Sequence, residues 1–183
     1  MSVRAAPATL AQLPNALTAV RFALVPVFVV LLATADHGHS WPAGIVFGSA
    51  GVTDQIDGWL ARRWHVESEF GKYADPLADR LMIGSAVILL FVAGRLPWPA
   101  LALVIARDAL LAVGARLVVP RGYEFSVNVL GKLATWVLYA AVGCVIVTAE
   151  STDWPLWLFW TGVGLSVAAG AAYTVSARRA VAR

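Results

Sequence analysis

The chain has 183 residues, of which 60% are hydrophobic and 14% charged, and its mean hydropathy is +0.73. A soluble domain carries about a quarter charged residues, so this composition excludes an ordinary soluble domain and predicts a single-domain, all-α integral membrane protein. The net charge of +3 is small and no nucleic-acid partner is expected. Cys144 is the one cysteine, so no intrachain disulfide is possible.

A helix needs about 20 mostly apolar residues to cross a bilayer, and six segments qualify. Residues 1–14 form a short juxtamembrane segment. The first span is expected at about Asn15 to Ala35, with Arg21 and Pro26 inside it. The second covers about Pro42 to Arg63, with Asp54 and Asp57 in its last turns. The third covers about Gly71 to Ala93 and opens with Asp75 and Asp79. The fourth, about Trp98 to Val119, carries Arg107 and Asp108. The fifth and sixth run about Val127 to Thr148 and Pro155 to Val175. No internal repeat or low-complexity tract interrupts them.

The cations set the orientation. Arg4 precedes the first span. Arg62, Arg63 and Lys72 lie between the second and third. Arg116, Arg121 and Lys132 lie between the fourth and fifth, and Arg178, Arg179 and Arg183 follow the sixth. The remaining loops hold only Arg95. The positive-inside rule predicts that both termini and the aspartates are cytoplasmic. Trp41, Trp98, Trp154 and Trp157 fall at the opposite helix ends, where tryptophan favours the headgroup layer. Arg4, an apolar run and Ala33-Thr34-Ala35 loosely imitate a signal peptide. Arg21 and Pro26 spoil its apolar core, and cleavage would leave five spans.

The chemistry is concentrated in four aspartates. Asp54 and Asp57 are three residues apart, and Asp75 and Asp79 four apart. Each spacing puts two carboxylates on one helix face. On antiparallel neighbours the two pairs can converge, and carboxylates that converge repel unless cations neutralise them. The pattern predicts a site for divalent metal, two hard ions such as Mg²⁺ or Mn²⁺. The plain alternative is a set of solvated charges at helix ends, and it suits one aspartate better than four in this pattern. His37, His39 and His65 lie in loops at no ligand spacing and read as solvated.

Written out, the stretch is Asp54-x2-Asp57-Gly58-x2-Ala61-Arg62-x8-Gly71-x3-Asp75-x3-Asp79. It resembles the signature of the CDP-alcohol phosphotransferases, with every fixed position filled. Pro14-Asn15-Ala-Leu-Thr18-Ala-Val-Arg21, followed by Pro26, is similar to the opening of the family's phosphatidylglycerophosphate and cardiolipin synthases. Ile105-Ala-Arg107-Asp108 and Gly131-Lys132 resemble later landmarks of that branch. The resemblance implies a membrane phosphatidyltransferase that binds CDP-diacylglycerol, releases CMP and forms an anionic lipid. It also implies a homodimer. Asp54, Asp57, Asp75 and Asp79 would hold the metals, with Asp79 also the general base for the acceptor hydroxyl. Gly58 and Gly71 would let the nucleotide approach closely, Ala61 extends that smooth face, and Arg62 can pair with phosphate oxygens. Packing between spans is the competing use of both glycines. Arg107, Lys132, Arg116 and Arg21 are candidates for the phosphate of the acceptor or lipid.

Two acceptors compete: glycerol 3-phosphate, giving phosphatidylglycerophosphate, and phosphatidylglycerol, giving cardiolipin. The wording Arg107-Asp108 and Gly131-Lys132-Leu-Ala-Thr135 leans slightly to cardiolipin. Inositol phosphate and serine remain open. A cation transporter is the rival of another class, but its sites usually lie mid-membrane between repeated halves. A non-catalytic scaffold is a third reading, opposed by the intact motif.

Overall fold

The computed structural model describes residues 8–64, 69–118 and 129–181, and side chains within 16–56, 74–75, 77–110 and 129–171. Six α-helices account for nearly all of them: α1 (Ala8–Ala33), α2 (Trp41–Trp64), α3 (Glu69–Val92), α4 (Trp98–Val118), α5 (Val129–Val147) and α6 (Trp154–Val181). A 3₁₀ turn, Asp36–Gly38, joins α1 to α2. No strand occurs among the described residues.

Helices α2, α4 and α6 each open on Trp-Pro: Trp41-Pro42, Trp98-Pro99 and Trp154-Pro155. Proline is tolerated in a first turn, where its missing N–H has no partner to lose. Ser40 caps α2, its hydroxyl oxygen accepting from the Ala43 amide at 3.1 Å. Helix α1 starts at Ala8, ahead of the expected Asn15. The added turns, Ala8-Thr-Leu-Ala-Gln-Leu, are rich in strong helix formers. Helix α6 likewise continues past Val175 to Val181.

Helix α1 packs on α2 and α3, α2 on α5, α5 on α6, and α4 on α3 and α6. The shared core draws Phe28 and Leu32 from α1, Phe47 and Ala50 from α2, and Met82, Ala86 and Leu90 from α3. Val104 of α4, Leu138 and Val142 of α5 and Phe159 of α6 complete it. Glycines let the helices approach closely. A Cβ at Gly44 would strike the Val147 side chain, and one at Gly162 would meet the Leu138 backbone at 3.0 Å. The outward faces are apolar as well: Val27, Ile45, Ile88, Leu110, Leu133 and Val167 are all exposed. A helix apolar all round suits burial, in the core of a large protein or in a membrane. Two of them, Ala16–Ala33 and Val129–Val147, are by length and composition alone apolar enough to cross a membrane.

One loop cation has a role that charge counting hides. Arg95 is 7% exposed. Its Nη2 donates to the carbonyls of Val145, Thr148 and Ala149 at 3.0, 2.9 and 3.4 Å. The Ser40 amide donates to Ile146 O at 2.9 Å, and His39 Nε2 lies 3.0 Å from Val147 O. The last carbonyls of a helix have no partner within it; here Arg95 and the α1–α2 turn satisfy those of α5. Gly38, at φ +66, closes that turn, and a Cβ there would strike Ala93 at 2.8 Å. His39 is therefore exposed but engaged rather than simply solvated.

Candidate active site

Short links join α1 to α2 and α2 to α3, so these three helices alternate in direction. The beginning of α1, the end of α2 and the beginning of α3 therefore meet at one end of the bundle. Asp54 lies late on α2, and Asp75 and Asp79 early on α3. Thr18 and Arg21 lie three residues apart on α1, so they share a face. That face meets the acids directly. Arg21 Nη1 sits 2.7 Å from Asp54 Oδ1 and 3.6 Å from Asp75 Oδ1. The Thr18 hydroxyl donates to Asp75 Oδ1 at 2.5 Å. One nitrogen touching two carboxylates from different helices shows that both face a common point.

Burial within this cluster is uneven. Thr18 and Arg21 are 1% and 2% exposed, while the Asp54 and Asp75 side chains keep 31% and 36% of their surface. The α1 residues form the floor, and the carboxylates open above it. Asp79 lies one turn beyond Asp75 on the same face of α3. Tyr139 of α5 packs on α2 beside the turn that precedes Asp54. Its ring stacks on Phe47 at 4.4 Å and lies where a side chain at Gly51 would be, 2.6 Å from that Cβ position. Gly51 thus brings α5 against α2 one turn before Asp54.

On α4, Arg107 Nη1 is 3.2 Å from Asp108 Oδ1, and Nη2 donates to the Thr135 hydroxyl oxygen at 2.8 Å. Thr135 in turn donates to Gly131 O at 3.0 Å. Arg107 is thereby tied to α5. Lys132 is exposed on the same helix. Asp57, Gly58, Ala61 and Arg62 belong to α2, Gly71 to α3 and Arg116 to α4; their side chains lie outside those described. Among the described residues, no three His, Cys, Asp or Glu side chains gather as a complete ligand set.

The donors that do converge are suited to a hard cation. Asp54 and Asp75 offer carboxylate oxygens, with a threonine hydroxyl beside them and neither thiolate nor imidazole. Mg²⁺ and Mn²⁺ prefer such oxygen ligands.

Sequence reasoning missed three of these residues. Tyr139 carries no charge and so gave no signal of cost in an apolar helix. Thr18 and Thr135 read only as parts of motifs. The i, i+3 spacing of Thr18 and Arg21 was the one available hint.

A family model described as CDP-alcohol phosphatidyltransferase matches residues 11–168, a stretch that includes every residue of this cluster. The chain belongs to the CDP-alcohol phosphatidyltransferase family. The family depends generally on divalent metal, in keeping with the oxygen donors. The chain is 39% identical over 142 residues to a Mycobacterium tuberculosis protein named "Probable phosphatidylglycerophosphate synthase", covering 76% of this chain and 68% of that one. It is 33% identical over 180 residues to a Bacillus subtilis CDP-diacylglycerol--glycerol-3-phosphate 3-phosphatidyltransferase, covering 88% and 93%. It is 37% identical over 183 residues to a Streptomyces coelicolor cardiolipin synthase (CMP-forming), covering 92% and 84%. Relatives on both sides of the acceptor question are therefore similar to it, and the chain is an enzyme of the phosphatidyltransferase class.

Proposed function

We propose that the protein transfers the phosphatidyl group of CDP-diacylglycerol to an alcohol acceptor, releasing CMP, at the cytoplasmic face of a membrane that its six helices span. The observation that carries the reading is the meeting of Asp54 and Asp75 at one point, with Asp79 one turn away, inside the eight-residue pattern. Two ions, Mg²⁺ or Mn²⁺, held by Asp54, Asp57, Asp75 and Asp79, would offset charge on the pyrophosphate and on departing CMP. Gly58, Ala61, Arg62 and Gly71 take the CDP portion, as smooth backbone and one bidentate donor. Asp79 accepts the proton of the acceptor hydroxyl as its oxygen bonds to the β-phosphorus and the bond to CMP breaks. The product is an anionic glycerophospholipid. The working protein is a homodimer.

Glycerol 3-phosphate and phosphatidylglycerol each bring a phosphate, which needs a cation beyond the metals. Arg107 supports that role best. Asp108 and Thr135 hold its guanidinium in place with 22% of the side chain open. Arg116 and Lys132 flank the same loop. Incubating purified protein with CDP-diacylglycerol and a panel of acceptors, with products read by mass, tests the reaction. Phosphatidylglycerol is the slightly favoured acceptor. No CMP from any acceptor would remove the transferase reading. Arg107→Ala should raise the acceptor KM at least about tenfold, as expected when a charge-assisted bond worth ~1.5–3 kcal/mol is lost. CDP-diacylglycerol affinity should change little; a selective loss of it would move Arg107 to the donor.

Topology has its own check. In a Cys144→Ser background, a cysteine at His37 should react with an impermeant reagent added outside intact cells, and one at Glu67 should not. Outside labelling at Glu67 would invert the orientation.

A further inference from the structure

Arg21 is among the most deeply buried side chains of the described core, at 2% exposure. An arginine cannot shed its charge in a protein. A charge at that depth is costly unless it is paired, and Arg21 is paired with both metal-facing helices, through Asp54 at 2.7 Å and Asp75 at 3.6 Å. It meets each carboxylate at Oδ1, from below, while about a third of each aspartate remains open above. Thr18 holds Asp75 from the same side. A phosphate arriving from the open side would meet the two carboxylates before the guanidinium, which does not suit Arg21 to bind lipid or acceptor phosphate.

We propose that Arg21 is a permanent counter-ion built into the floor of the carboxylate cluster, which holds α2 and α3 together before metal binds and weakens the grip on the divalent ion. This rests on reading the cluster as a divalent-metal site. Without Arg21, the repulsion between Asp54 and Asp75 would rise and strain the metal-free protein. With it, one positive charge already occupies the neighbourhood and raises the free energy of any second cation placed there. Thr18 is the uncharged half of the same clamp, a positioning residue for Asp75.

The test uses full-length protein in detergent and Mn²⁺ alone, with free Mn²⁺ followed by EPR and melting followed with EDTA or Mn²⁺ present. Arg21→Met should melt several degrees lower than the parent in EDTA and gain more from Mn²⁺ than the parent does. It should also bind Mn²⁺ at least about tenfold more tightly, the direction set by removing a like charge at this range. Thr18→Val should melt lower in EDTA yet keep its Mn²⁺ Kd within about twofold. Arg21→Lys retains the charge and should also keep the Kd within about twofold; it carries the test if Arg21→Met cannot be purified. Weaker or unchanged Mn²⁺ binding in Arg21→Met, or a several-fold shift in Arg21→Lys, would overturn the counter-ion role. These titrations need no substrate. A failed titration beside intact CMP release removes only the role of Arg21, whereas a parent protein that never releases CMP removes only the transferase reading.

Discussion

Stripping divalent metal with EDTA is expected to abolish phosphatidyl transfer, and Mg²⁺ or Mn²⁺ to restore it. Arg21 offsets only one of the negative charges at the cluster, and a pyrophosphate brings more. A metal cation typically supplies several kcal/mol of charge stabilisation, and ~4 kcal/mol corresponds to about a thousandfold in rate. Asp57→Asn should show a loss of that order while the protein still inserts and folds, since the amide keeps the shape and removes a charge. Asp54→Asn should lose both activity and stability, because it takes the 2.7 Å partner from a buried guanidinium. Asp75 stays 3.6 Å from that guanidinium, so the loss should fall below the ~3–5 kcal/mol typical of an uncompensated buried charge. CMP release assays beside melting curves check both. Full turnover in chelator by metal-free protein would end the mechanism.

Asp79→Asn is the second large effect. It should keep CDP-diacylglycerol binding and lose transfer. The amide cannot take a proton from the acceptor hydroxyl, and loss of a positioned general base typically costs 10²–10⁴-fold. Asp79 lies one helical turn beyond Asp75, on the face that the pair shares. Equilibrium binding of the donor, measured beside single-turnover transfer, separates the two roles. A near parental rate would leave Asp79 as a metal ligand or a structural group. Loss of donor binding together with rate would place it among the groups that hold the pyrophosphate.

Much of this was legible along the chain. The apolar segments coincide with the six helices to within a few residues, apart from the early start of α1 and the late end of α6. The aspartate pattern also pointed to its family directly, because those residues lie within 26 consecutive positions on two adjacent helices. Helical periodicity carried the rest of that inference. Three or four residues make one turn wherever the helix sits, so each carboxylate pair could be placed on a face without knowing its neighbours.

Contacts between distant segments were not legible in this way. Arg95 looked like a stray cation in an outer loop, yet it closes the carbonyl end of α5, fifty residues away. Arg21 looked like a phosphate ligand, yet α1 folds it beneath Asp54 and Asp75. Arg107 and Thr135 meet only because α4 and α5 bring them together across the chain. By itself the sequence determined the helices and the family, which follow from hydropathy and local spacing. The tertiary structure alone decided which cation answers which carboxylate. That choice depends on which helix faces pack together: α1 packs on both α2 and α3, and so sets Arg21 against Asp54 and Asp75.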